Sequence, residues 1–304
     1  LRVIDELGYR PRAAARELSA GQALTIGLVV TDLSNPFFAR LADRIVWEAR
    51  GHGVQVVLMT TQEDPHLEAD SLDTLLDRSV SGVIATPTGG NIEKWRRLRD
   101  LGVNVVFIDR AIEELEDVDV VSIENFDSAE RSTEHLITLG HTRIGLITGP
   151  LTTSTGSARL NGYKAAHQKA SLPVDPTLIR DVPFRGDAGG GAVGSLLAMR
   201  QPPTALIVAN TAQVQSSVRR LVQMGIDIPD ELSLIVFDDN PWTELTTPPL
   251  SVIRQPLDML AVHAIELVLG RMHGKLPDGA RRIEVKADYL PRNSCAPLIL
   301  SSAR

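Results

Sequence analysis

Residues able to do chemistry cluster just past the ends of β-branched, apolar runs. Asp32, Asn35, Phe37 and Phe38 follow LTIGLVV, Asp109 and Arg110 follow VNVVFI, and Thr153, Thr155 and Arg159 follow IGLIT; Phe184 follows the run at 178–183, Asn210 follows ALIVA, and Asp238 with Asp239 follows SLIVF. Carboxylates, an amide and guanidiniums beside aromatic rings suit a small polyhydroxylated molecule, the rings lying on its C–H face while forked donors and acceptors take its hydroxyls. Any single strand-end Asp or Asn also reads as a helix cap, because these residues favour the position before a first helical turn. Asn210, ahead of a helix at 212, and Asp109 carry that alternative. Their joint occurrence at strand ends favours a ligand, since open parallel sheets bind ligands outside the carboxyl ends of their strands.

The patterns of catalysis are weaker. Gly189, Gly191 and Gly194 satisfy G-x-G-x-x-G after a strand, but the next strand closes in Asn210 where a ribose-binding acid is wanted, so a flexible, glycine-rich helix start is the preferred reading. The seven histidines form no H-E-x-x-H and no Cys/His pairing, which gives no metal site and no cofactor. Neither a G-x-S-x-G elbow nor a P-loop occurs, and Asp238-Asp239 lack a partner nucleophile. The chain is read as not an enzyme. His135 and His141 are read as helix C-terminal residues near the Leu139-Gly140 stop, favoured there by the helix dipole.

These residues need strands and helices in alternation to position them. Hydrophobic periodicity predicts strands near 24–31, 54–60, 82–86, 104–109 and 119–123, with helices near 36–51, 65–79, 91–101 and 126–140. A second series follows, with strands near 143–149, 178–183, 204–209 and 233–238 and helices near 157–170, 189–200 and 212–224. Runs such as VQVVLM joined through helices imply parallel sheets covered on both faces. The expected fold is α/β, two doubly wound parallel-sheet lobes. After Asp238 a helix at 257–273 and short strands at 282–287 and 288–291 are expected to cross back between the lobes and leave a cleft at the hinge.

Composition agrees with that plan. A chain of 304 residues exceeds what one core organises, and 43% hydrophobic content is ordinary for a soluble protein. No apolar run approaches the roughly 18 to 20 residues of a membrane helix. A lone Cys295, with no charged and then apolar leader at the start, fits a reducing cytoplasm. A net charge of −7 excludes a body coated in nucleic acid, so any DNA contact must be local.

Eight short motifs, in order, resemble the lactose/galactose-repressor (LacI/GalR) family of bacterial transcription regulators: IDELGYRP (4–11), AAARELSAG (13–21), TIGLVVTDLSNPFF (25–38), EHLITLGHTRIGLITGP (134–150), RLNGY (159–163), ALIVAN (205–210), GIDIPDELSLIVFDD (225–239) and TTPPLSVIRQP (246–256). The resemblance covers essentially the whole chain. It implies a periplasmic-binding-protein-like type I core in which an effector between the lobes alters affinity for an operator. The implied division is residues 1–22 as a remnant of the DNA-binding headpiece and hinge helix, 23–123 plus about 256–285 as the N-terminal lobe, and 124–255 plus about 286–304 as the C-terminal lobe. On this basis LRVIDELGY resembles the third helix of the DNA-binding headpiece, so the first helix and the recognition helix are expected to be absent and operator DNA to be bound only once they are restored.

Within Arg12 to Ser19, the segment that resembles the hinge helix, Leu18 matches the apolar minor-groove wedge and is flanked by Ala15 and Arg16. The implied effector site comprises Phe37, Phe38, Asp109, Arg110, Thr153, Thr155, Arg159, Phe184, Asn210 and Asp238, with Arg159 as its strongest member. Two phenylalanines with Asp, Asn and Arg favour a sugar or sugar derivative, a nucleobase on Phe184 being the alternative. Departures from the family occur at Thr211, where Asp is common, at Val236, where Gly is usual, and at Glu124-Asn125, which replaces a frequent Asp-Asn. Family members assemble as dimers or tetramers. The expected homodimer surface is the 36–51 and 65–79 helices with Leu41, Ile45, Val46, Leu72, Leu75 and Leu76. A periplasmic sugar-binding transport protein shares the architecture and is the competing reading, though it would not carry the 4–21 segment.

Overall fold

The computed structural model describes residues 24–298. The hinge residues Ala15, Arg16 and Leu18 therefore lie outside the described residues. The strand β1 (Thr25–Val30) ends at a turn whose Asn35 caps helix α1 (Pro36–Gly51), its side chain accepting from the Phe37 N–H at 3.1 Å, with Pro36 in the first turn. The same device recurs after β2 (Gln55–Thr60): Asp64 accepts from the His66 N–H at 2.8 Å and Pro65 opens α2 (Pro65–Asp77). The first lobe continues through β3 (Gly82–Ala85), α3 (Ile92–Asp100), β4 (Asn104–Ile108) and β5 (Asp119–Ile123). The second series is α4 (Asn125–Thr138), β6 (Ile144–Thr148), α5 (Ser154–Lys169), β7 (Ile179–Asp181), α6 (Ala188–Leu197), β8 (Ala205–Ala209), α7 (Thr211–Met224), β9 (Ser233–Phe237) and β10 (Ser251–Arg254). Helix α8 (Leu257–Met272), β11 (Arg282–Val285) and β12 (Asp288–Leu290) follow.

Two six-stranded sheets result, ordered β11-β5-β4-β3-β1-β2 and β12-β10-β9-β8-β6-β7. Each contains the same doubly wound order with a switch point, between β1 and β3 in one lobe and between β6 and β8 in the other. Helix α8 packs on α1 and on β3 to β5, and β11 pairs in parallel with β5, so late residues complete the first sheet. The last strand, β12, runs antiparallel to β10. Among the described residues no helix is long and apolar enough to cross a membrane.

Several expectations require correction. The strand β10 was not foreseen, because SVIR is only four residues between prolines. VQVVLM does not form a doubly covered strand: β2 lies at a sheet edge and leaves Leu58 40% exposed. Leu41, Ile45, Leu72 and Leu75 are fully buried within their own lobe and offer no surface for a partner; the apolar residues that α1 and α2 expose are Val46, Trp47 and Leu67. The glycines at 189, 191 and 194 lie in the opening turns of α6, in keeping with a glycine-rich helix start. A Cβ on Gly189 would stand 2.6 Å from the Gln213 carbonyl oxygen, so its smallness lets α6 and α7 approach closely. His141 is not a dipole partner. It is buried beyond the helix end and bonds Thr204 (2.9 Å), Ser233 (3.0 Å) and the Ala296 carbonyl (3.1 Å), tying the C-terminal segment to lobe two.

Candidate functional site between the two lobes

The two sheets present matching corners to each other. Past β4, Asp109 adopts φ 71°, and its N–H donates to the Val121 carbonyl at 2.9 Å; past β9, Asp238 adopts φ 70°, and its N–H donates to the Ile253 carbonyl at 2.8 Å. The left-handed backbone is one that Asp tolerates better than most residues. Both carboxylates are buried, Asp109 at 8% and Asp238 at 5% exposure. Their surroundings differ. Asp238 accepts from Gln255 Nε2 at 2.8 Å and from the Thr211 hydroxyl, whereas Arg110 Nε lies 3.5 Å from the Asp109 carboxylate and, among the described residues, none donates a hydrogen bond to it. Burial pushes both carboxyls above the ordinary range, against the pull of Arg110 and Arg159 at Asp109 and of Thr211, Arg159 and Gln255 at Asp238.

Arg159, 4% exposed on α5, is held from three sides. Its Nε donates to Asn125 Oδ1 at 2.8 Å, Nη1 donates to the Ala209 carbonyl at 2.9 Å, and the guanidinium stacks 4.2 Å over the Phe237 ring. Burial lowers its pKa, with Asp109 and Asp238 opposing. Its Nη2 makes no hydrogen bond among the described residues, which leaves a donor facing the cleft. Arg110 forks onto Glu63 with two contacts of 2.8 Å and lies 3.9 Å over the Phe184 ring of the other lobe. Burial works against its charge, and the pair with Glu63 more than offsets this, so its pKa lies above the ordinary value.

Phe184 lies flat on lobe two because residue 149 is glycine: a Cβ there would come within 2.4 Å of the ring. Phe37 and Phe38 meet edge to face at 4.9 Å in the first turn of α1. Asn210 stands at the cap position of α7 without making the capping bond, and its amide donates instead to the Val182 and Pro183 carbonyls at 3.4 Å each.

A cavity of about 20 Å³ lies where these groups converge. Of the sequence-predicted residues, Phe37, Phe38, Asp109, Arg110, Thr155, Arg159, Phe184 and Asn210 line it. Asp238 stands behind Gln255, and Thr153 caps α5, accepting from the Gly156 N–H at 3.2 Å. The structure also brings in Thr211 and Gln255, which the sequence reading did not assign to the site, and places Asn125 and Glu63 behind the arginines. Asn125 and Glu63 each follow the end of a strand, the signal that found the others. Arg40 Nη1 donates to the Asp239 carbonyl (3.0 Å), the Ala111 N–H to Ser154 Oγ (3.0 Å) and Arg185 Nη1 to the Gln62 carbonyl (3.1 Å), so the lobes are closed on each other. A space this small holds little more than a water, and a larger guest requires the lobes to part.

Residues 133–295 match the family described as a periplasmic binding protein-like domain. The chain is 32% identical over 297 residues to the HTH-type transcriptional regulator PtxS of Pseudomonas putida, a match covering 97% of this chain and 85% of that protein. It is 31% identical over 274 residues to the ribose operon repressor of Escherichia coli, covering 88% and 82%. The solved complex of the transcriptional regulator CelR with cellobiose superposes with a TM-score of 0.82 at 26% identity, over 96% of this chain and 88% of that one. With its paired doubly wound lobes and a polar cleft between them, the chain belongs to the lactose/galactose-repressor (LacI) family of transcriptional regulators.

Proposed function

We propose that the interlobe cleft binds a small effector, a sugar or sugar derivative, and that this binding shifts the orientation of the lobes and thereby operator affinity. The observation that carries the proposal is a free acceptor opposed by a free donor. Asp109 has no hydrogen-bond donor in lobe one, Arg159 Nη2 has no acceptor in lobe two, and the rings of Phe37, Phe38 and Phe184 surround the space between them. A polyol in the cleft would donate to the one and accept from the other. The names of the ribose operon repressor and of the CelR-cellobiose complex support a carbohydrate. Residues 23–123 with about 256–285 and 124–255 with about 286–304 act as the two moving bodies in this reading, and the cleft binds without turnover. Ala15, Arg16 and Leu18 are assigned to the DNA contact. A homodimer in the cytoplasm completes it, pairing through the exposed Val46, Trp47, Leu58 and Leu67.

The test is a thermal-shift screen of the purified protein against monosaccharides, disaccharides, sugar phosphates, polyols and nucleosides. A ligand at about 100 times its dissociation constant adds about 2.7 kcal/mol of stability. A carbohydrate hit that disappears in Arg159→Ala supports the site. A nucleoside hit, or a sugar hit that Arg159→Ala leaves intact, overturns it.

A further inference from the structure

The charges around the inner cavity do not balance. Two arginines and three carboxylates stand in its wall or directly behind it: Arg110 and Arg159 against Asp109, Glu63 and Asp238. Arg110 commits both terminal nitrogens to Glu63 at 2.8 Å each, and this fork fixes the guanidinium with its Nε buried, 3.5 Å from Asp109 and without a hydrogen bond. Its charge is thereby answered by Glu63. Arg159 is left to serve two carboxylates, and it bonds neither: its described hydrogen-bond partners, Asn125 and the Ala209 carbonyl, are neutral. One negative charge is in excess. Gln255 and Thr211 donate to Asp238, so the excess lies at Asp109, which accepts from no described residue. Donors are short as well: Gln255 must turn Nε2 to the Asp238 carboxylate, which leaves its Oε1 buried with no donor. A cation entering such a surround is attracted and an anion repelled, the more strongly because the groups are shielded from water.

We propose that the effector is cationic, an amino sugar whose ammonium sits against the Asp109 carboxylate while one of its hydroxyls accepts from Arg159 Nη2. This rests on the reading of the inner cleft as the effector site and adds the charge class of the ligand: anionic sugars are poor effectors. Burial holds the Asp109 carboxyl above the ordinary range, and an ammonium beside it draws it back down.

Calorimetry on the full chain at about pH 6.5, below the ordinary pKa of an amine, tests it. Glucose, galactose and mannose are compared with glucosamine, galactosamine and mannosamine, with the N-acetyl forms of these amines, and with glucuronate and galacturonate. At least one amino sugar is expected to bind about tenfold or more tighter than its parent sugar, and N-acetylation, which removes the charge and keeps the ring, should abolish the gain. Asp109→Asn should bring the ratio of amine to parent affinity close to one, with a melting curve to confirm that the variant is folded. An amine that gains nothing over its parent, a gain that survives Asp109→Asn, or tighter binding of a uronate than of the parent sugar overturns the charge assignment and leaves the inner site standing. Parent-sugar binding that survives Arg159→Ala overturns the inner site instead. If no sugar, charged or neutral, binds, both readings fall.

Discussion

Asp109 and Asp238 occupy the same corner of two similarly wound lobes, in the same left-handed backbone conformation, and do different work. Asp238 is satisfied by its own lobe, through Gln255 and the Thr211 hydroxyl. Asp109 is buried almost as deeply with no donor of its own. One corner is finished by its own lobe; the other presents an acceptor that no described residue fills. The contrast also gives Thr211 a purpose. A carboxylate at that position would face Asp238 with like charge, whereas a hydroxyl donates to it.

The strongest challenge to this comparison is at Arg159, which faces both corners. Arg159→Ala is expected to lower effector affinity by about 2–5 kcal/mol in calorimetry, since it removes a buried charged donor. A change below tenfold would mean that the open corner is not where the ligand sits. Next, Asp238→Ala should cost about 1–3 kcal/mol of unfolding free energy in urea titrations, because Gln255 Nε2 and the Thr211 hydroxyl lose their acceptor. Asp109→Asn should do the opposite, raising Tm by about 2–4 °C for each kcal/mol gained while weakening effector binding. Its raised pKa says that the cleft favours the uncharged form, and Asn tolerates the left-handed backbone. Equal destabilisation by Asp109→Asn and Asp238→Ala would erase the distinction.

The smallest effect is a pH dependence outside the cleft. Burial lowers the pKa values of His135, His141 and His167. As pH falls through the unfolded value of about 6.5, the unfolded chain takes up protons that the fold resists, so stability declines towards the lowered folded values. The two aspartates act with the reverse sign: as pH falls through their raised folded pKa values, the cost of burying their charge is relieved. Between urea midpoints at about pH 7.5 and 5.5, His141→Gln should therefore show a less negative change in stability than the parent chain. A His141→Gln profile parallel to the parent's would refute the assignment.

Much of this was legible in the residues. Parallel α/β wiring delivers ligand-facing side chains to the positions after strands, which is why Asp109, Arg159, Phe184 and Asn210 could be named before any coordinates. Gln255 could not, because its strand is four residues long between prolines and carries no periodic signal. The burial of Leu41 and Leu75 was equally opaque: an amphipathic pattern says that a face is covered but not whether by the same lobe or by a second chain. Thr211 was visible only as a departure from the family, and its hydroxyl's service to Asp238 depends on a contact across 27 positions of sequence.

The pairing of β11 with β5 joins Arg282 to Val120. Lobe one therefore cannot close on the residues of its own first strands: until residues 257–285 have been synthesised, α8 is missing from the face of α1 and the edge of β5 stands bare. Lobe two's strands β6 to β10 are all made before that moment. Neither lobe is finished by its own consecutive strands: lobe one waits, edge exposed, for residues that follow β10, and lobe two waits for β12 and Ser294, so the two lobes are completed one after the other within a span of about forty residues.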